Sequence, residues 1–508
     1  MKFKKFMAIV VSLLLLCTFA FGMSGCNGAG DGAKEGELTI RYFLGGYGDQ
    51  WMKNAKAKFE ASHEGVKVVL DGRSDVTDIM RSQVNSGKNL ADIYWLAEME
   101  EWREYVALGK ITSLKDVYEA EVNTSEGKIK IKDYLMPNVC QSRYLSRVPG
   151  VPEEPWTMSL AFMQTGIVYN EEMLLSTKHT TAKAGEWSVG DTWTAPPETV
   201  TDLISYCDDL TAVGKTPFAF AGKESDWLLR FMFGWWGQYQ GANTLNTANP
   251  DVTANEGTFF DYWNYNSPEV FKQAGIGAAI DAFQSIFKGE DGQPKNAAKG
   301  VLSYTTQDAE RNFASQNVAM VFCGAFIYNE IKDMLDADGD GEADFTMRMM
   351  SLPYVNGAQL GEDGEPLKMN YYFSEDAFFI PTGATNTQLA KEFLIMLCEE
   401  ESLLDFTKET GELRPFQYDA QIAEKDGFEY SAFTKDVINI YNTTDVRLMR
   451  FPSGHDDVSD MYKYLQPLWT DAYSRLISEL FTSDASTLLT NIYEGAKREW
   501  STWEAQIF

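Results

Sequence analysis

From Asp336 onward the chain reads Asp-Ala-Asp-Gly-Asp-Gly-Glu-Ala-Asp, which sets carboxylates at Asp336, Asp338, Asp340, Glu342 and Asp344 around Gly341. Oxygen donors at the first, third, fifth and ninth positions, with glycine at the sixth for the turn, form the pattern of a calcium loop. The twelfth position is Met347, so the bidentate glutamate is missing and any affinity should be weak. The same residues also suit a polar turn between two elements. A structural Ca²⁺ is the one cofactor the sequence raises, and nothing requires it.

Catalytic constellations fail on spacing. His63, His179 and His455 have no paired interval, and there is no Gly-x-Ser-x-Gly elbow. Gly214-Lys215-Thr216 has the form of a phosphate-loop tail, but Asp209 stands where that loop needs glycine. Gly46-Tyr47-Gly48 lacks the third glycine of a dinucleotide fingerprint, because position 51 is Trp51. Paired acids for glycoside hydrolysis stay open in a chain with 74 acidic side chains, and no catalytic residue is assigned.

The first 25 residues set the compartment. Lys2, Lys4 and Lys5 precede an apolar run from Phe6 to Phe21, followed by Met23-Ser24-Gly25-Cys26. A basic start, an apolar centre and small residues before a cleavage point make a secretory signal, and the run is shorter than the roughly 20 residues of a spanning helix. The signal resembles that of bacterial lipoproteins, which implies lipid on Cys26 as the first mature residue. Residues 26–36 are rich in Gly, Ala, Asp and Lys and read as a flexible tether. No later segment reaches membrane-spanning length.

The chain of 508 residues is too long for one core, so two lobes are expected. The net charge of −30 becomes more negative once the lysine-bearing signal is removed, which disfavours nucleic acid and anionic lipid as partners. Cys140, Cys207, Cys323 and Cys398 lie far apart in mostly apolar stretches and read as buried thiols.

Leu38 to Phe43 reads as a strand, and Trp51, Met52, Ala55 and Phe59 recur at helical spacing. Val66 to Leu70 is a second strand, Asp75 to Ser86 a second helix, and Ala91 to Leu96 a buried third strand. This β-α-β-α-β order predicts an α/β fold with a parallel sheet and ligands outside the carboxyl ends of its strands.

Several later segments resemble, in order, the family 1 extracellular solute-binding proteins, the sugar-binding components of ABC importers. They are Ala91-Asp92-Ile93-Tyr94-Trp95, Val168-Tyr169-Asn170-Glu171-Glu172-Met173, and Pro196 to Leu203 with Gly214-Lys215-Thr216-Pro217. Phe313 to Met320 with Gly324-Ala325-Phe326 continues the series, as does Phe379-Ile380-Pro381 with Leu389 to Thr410, Gly411 and Pro415. Val200 and Phe326 stand where the family usually has tryptophan. The resemblance implies a two-lobed periplasmic-binding-protein-like fold with crossing strands and an interlobe cleft. Lobe one would comprise residues 37–155 with 305–350, and lobe two 156–304 with 351–508.

A sugar presents apolar C–H faces and a rim of hydroxyls, so its site needs aromatic platforms and carboxylates. With the cleft placed by resemblance, Tyr47, Trp95, Tyr169, Trp235, Trp236 and Phe326 are the candidate platforms. Asp49 and Glu98 are the candidate acceptors. Each aromatic could equally be core, and each acid a helix cap. The resulting reading is a monomeric, lipid-anchored receptor that gives a carbohydrate, expected to be an oligosaccharide, to ABC permease subunits. The rival is a secreted, lipid-anchored carbohydrate hydrolase.

Overall fold

The protein is described from a computed structural model covering residues 34–507, apart from 35, 98, 100–101, 138, 141–149, 225, 242–270, 337–338, 362, 374–375 and 451–478. The signal, Cys26, Glu98 and Asp338 therefore lie outside the described residues.

The opening alternation folds as read. Strands β1 (Glu37–Phe43), β2 (Lys67–Arg73) and β3 (Ile93–Leu96) pair in parallel, with β1 between the other two. The helix Gln50–Ser62 buries Trp51, Met52, Ala55 and Phe59, the apolar stripe visible in the sequence. The helix Val76–Ser86 ends at Gly87, whose φ of 65° is the left-handed closure that glycine adopts without strain. Both faces of β1 are covered, so its polar residues need internal partners. Arg41, 2% exposed, pairs with Asp71 at 2.9 Å, and the backbone N–H of Thr39 donates to Asp92.

After a small hairpin of β4 (Glu121–Thr124) and β5 (Gly127–Lys130), the chain crosses into a second sheet. Its members are β6 (Met163–Asn170), β7 (Thr216–Ala219), β8 (Val318–Gly324), β9 (Met347–Met350) and β10 (Met369–Phe373), ordered β10-β6-β8-β7 with β9 also on β6. The chain then returns to the first sheet as β11 (Ala377–Phe379), antiparallel to β3. It finally re-enters the second sheet as β12 (Val446–Arg450) beside β10.

These crossings revise the expected lobe boundaries. Residues 305–350 were assigned to the first lobe, yet β8 and β9 both pair with β6 in the second sheet. Residues from 351 onward were assigned to the second, yet β11 completes the first sheet. The helices Thr387–Leu397 and Glu400–Thr410 pack against Gln50–Ser62 there. All seven positions of β8 are buried, and burial on both faces leaves no alternation to show which sheet a strand joins.

Helix starts follow sequence signals. Asn170 accepts from the Met173 N–H at 2.8 Å, and Thr199 accepts from that of Asp202 at 3.1 Å. The single late helix expected over Leu389 to Thr410 is two, separated at Cys398-Glu399 and closed by Gly411 with φ of 76°. Cys140, Cys207, Cys323 and Cys398 are all free thiols.

Candidate ligand site between the sheets

The loop Gly45 to Gly48 follows β1, and the short helix Ile327–Ile331 follows β8. The two meet. A Cβ on Gly46 would lie 2.8 Å from Glu330 Oε1 and 3.0 Å from the Phe326 ring, so any larger residue here would require those side chains to shift. Asn329 Nδ2 donates to the Gly46 carbonyl at 2.9 Å. The first and second sheets are thus closed on each other at the carboxyl ends of β1 and β8.

An aromatic group lies behind that contact. Tyr47, 9% exposed, has its ring 6.0 Å from Trp95 and 5.6 Å from Phe406. Trp95 stacks on Phe378 at 5.3 Å and meets Trp51 edge to face at 5.3 Å. Its Nε1 donates to Asp376 Oδ2 at 2.8 Å, and Asp376 also accepts from the Ser159 hydroxyl and the Leu160 N–H. The Arg414 guanidinium lies 4.0 Å from the Phe406 centroid and 4.7 Å from that of Trp51, and Nη1 donates to the Leu160 carbonyl.

Three glutamates complete the cluster: Glu310 and Glu412 are buried, and Glu330 is exposed. Glu412 is fully buried, and neither carboxyl oxygen has a partner in hydrogen-bonding geometry. Burial holds its proton affinity well above the usual carboxylate range, Glu330 adds to this, and the Tyr47 hydroxyl opposes it. Glu310, 3% exposed, is raised by burial and then by Glu330. Glu330 is raised by desolvation, while its interaction with Glu310 acts the other way. Tyr47 is likewise raised by burial, with Glu412 and Asp376 next and Arg414 opposing. Protonated carboxyls both donate and accept, and beside aromatic faces they can grip a polyhydroxylated ring.

Of the residues singled out in the sequence, Tyr47, Trp95 and Phe326 come together here. Asp49 does not join them: it pairs with Lys53 at 2.7 Å at the start of its helix. Trp235 and Trp236 belong to the second core, donating to the Pro353 carbonyl and to Gln273 Oε1. Adjacent bulky apolar residues on a helix are drawn into the nearest core, and flanking glycines do not change that. Tyr169 is 4% exposed in the same core, with Arg348 and Asp436 acting on its hydroxyl. His63 stacks on Phe59 and His179 on Trp187, each within its own helix-packing environment.

Sequence reasoning missed Glu310, Glu330, Asp376, Glu412 and Arg414. The turn from Gly411 to Pro415 was the one signal that could have drawn notice to the last two.

In the acidic loop, Asp336 accepts from the N–H groups of Gly339, Asp340 and Gly341 at 2.7, 3.0 and 2.9 Å, and Asp340 accepts from that of Glu342. Glu342 and Asp344 are exposed. Among the described residues, no group of three or more His, Cys, Asp or Glu side chains is arranged to hold a metal.

Two α/β sheets with repeated crossings, closed over an aromatic and carboxyl-lined contact at their strand ends, define a two-lobed solute-binding protein. The chain belongs to the bacterial extracellular solute-binding proteins, whose family profile matches residues 54–435. Among solved structures, it is similar to the solute-binding protein RafE in complex with raffinose, at 15% identity and a TM-score of 0.53 over 91% of this chain and 99% of that one. It is also similar to a probable secreted solute-binding lipoprotein from Streptomyces coelicolor, at 14% identity and a TM-score of 0.59 over 91% of this chain and 98% of that one. No curated protein matches the sequence. Among the described residues, no helix is long and apolar enough to cross a membrane.

Proposed function

We propose that this extracellular solute-binding protein captures a carbohydrate, an oligosaccharide in our reading, and delivers it to the permease subunits of an ABC importer. Lipid on Cys26 would hold it at the outer face of the membrane. The observation that carries the reading is the meeting of Tyr47 and Trp95 with Asp376 and Glu412 where the sheets close. Aromatic faces and carboxyls are the two chemistries a sugar requires. The raffinose bound by the similar RafE adds support from the same fold. Closure around ligand would give the transporter a distinct surface to engage.

A thermal-shift and calorimetric screen against mono- and oligosaccharides tests this, since binding to the folded state raises stability by RT ln(1 + [L]/Kd). At least one neutral or charged sugar should raise Tm and leave the assay unchanged. A reducing-sugar assay that detects product would replace the reading with hydrolysis. Cys26→Ser should release the protein from membranes or leave its signal uncleaved, and normally processed mutant in the membrane fraction would refute the anchor.

A further inference from the structure

We propose that the site formed by Glu310, Glu330 and Glu412 beside Tyr47 takes an organic cation, a carbohydrate bearing a protonated amine. This rests on the carbohydrate reading for the sugar part and goes beyond it for the charge. The three carboxyls come from separate elements: Glu310 from the helix Thr306–Ala314, Glu330 from the helix Ile327–Ile331, and Glu412 from the turn after Glu400–Thr410. A Cβ on Gly46 would meet Glu330 Oε1 at 2.8 Å and one on Gly411 would meet the Tyr328 ring at 3.0 Å, so the turn that carries Glu412 packs on the helix that carries Glu330, while Glu310 accepts from the Cys323 thiol at the end of β8.

Their charge is not balanced within the fold. Among the described residues, none of the three forms an ion pair. Arg414, the nearby cation, faces the rings of Phe406 and Trp51 and donates through Nη1 to the Leu160 carbonyl, while its buried Nε has no hydrogen-bond partner among the described residues. Glu412 is the sharpest indication, because a fully buried carboxyl whose two oxygens lack partners is an unmet demand for donors. Burial, with Glu330 adding to it, favours the protonated form of Glu412. An ammonium group would supply three donors and a positive charge, letting the carboxylates ionise in place. The Tyr47 and Trp95 rings offer the apolar and π faces that both a sugar and a cation use. A neutral hydroxyl supplies one donor and no charge, so the site should discriminate between an amine and its acetylated form.

The test uses matched probes on the mature protein, namely chitosan di- and trisaccharides, their fully N-acetylated counterparts, raffinose, and spermidine as an amine without sugar. Calorimetry at neutral pH should show the amino sugars binding at least tenfold more tightly than the acetylated ones. Glu412→Gln should remove most of that preference, and Glu330→Gln serves the same purpose if the first variant does not fold. Equal affinity for amine and acetyl forms, or tighter binding of neutral sugars, would overturn the inference and leave the carbohydrate reading intact. Spermidine binding with every sugar silent would uphold the cation and overturn the carbohydrate. Silence from all four probes would overturn both.

Discussion

The indole N–H of Trp95 donates to Asp376 Oδ2 at 2.8 Å, tying the end of β3 to the residue just before β11. This bond fixes the Trp95 ring by the same strand pairing that completes the first sheet. Trp95→Phe keeps a ring but takes one donor from a buried carboxylate, and should cost about 1–3 kcal/mol of stability. Trp95→Ala should cost about 3–5 kcal/mol, because the residue is 1% exposed, and should also weaken ligand binding at least tenfold. Denaturant titration paired with calorimetry separates the two effects. Unchanged affinity in Trp95→Phe and Trp95→Ala alike would remove Trp95 from the site.

Gly46 controls the approach of the two sheets. In Gly46→Ala the new methyl would meet Glu330 Oε1 at 2.8 Å, so closure should be opposed while each lobe keeps its own packing. Ligand affinity should fall about tenfold or more, equivalent to about 1.4 kcal/mol. Small-angle scattering should show a more open particle with ligand than the wild type has. A variant that closes normally would mean that Glu330 and Phe326 yield freely.

Glu310 predicts a pH dependence. Its side chain is 3% exposed, and burial first, then Glu330 and more weakly Glu224, favour its neutral form, while the hydrogen bond from the Cys323 thiol acts the other way. In the unfolded chain it ionises near the ordinary glutamate value of about 4.3. Below that pH both states hold the proton and stability is full. Above it the unfolded chain alone loses the proton, so stability falls as pH rises toward the raised native value. The wild type should therefore lose more Tm between pH 5 and pH 8 than Glu310→Gln does. Parallel Tm profiles for the two proteins would refute this.

Trp235 tests the division between core and site. It is fully buried, and its indole N–H donates to the Pro353 carbonyl at 2.9 Å. Trp235→Ala should lose about 3–5 kcal/mol of stability while the folded fraction keeps wild-type affinity. A selective loss of affinity would return Trp235 to the ligand site.

Asp336 holds three backbone N–H groups, so Asp336→Ala should destabilise its turn by about 1–3 kcal/mol in the presence of chelator. Melting of the wild type with millimolar calcium and with chelator decides whether the loop also takes a metal. A bound ion at 100 times its Kd would add about 2.7 kcal/mol, and coincident curves would leave Asp336 as a turn cap alone.

The sequence by itself determined what depends on neighbours along the chain. The β-α-β-α-β opening was legible because Leu38 to Phe43 and the stripe from Trp51 to Phe59 carry their periods locally. Strand-end position also marked Tyr47 and Trp95. Tertiary structure decided the rest. Only long-range pairing placed β8 in the second sheet and β11 in the first, since a fully apolar strand fits either. Trp235 and Trp95 look alike in sequence and both are buried, and what separates them is the partner folding supplies: a backbone carbonyl for the Trp235 indole N–H and the Asp376 carboxylate for that of Trp95. Glu310, Glu330 and Glu412 are ordinary acids along the chain, and their chemistry arises only when folding buries Glu310 and Glu412 with Glu330 beside them, because desolvation and mutual repulsion are properties of the assembled contact.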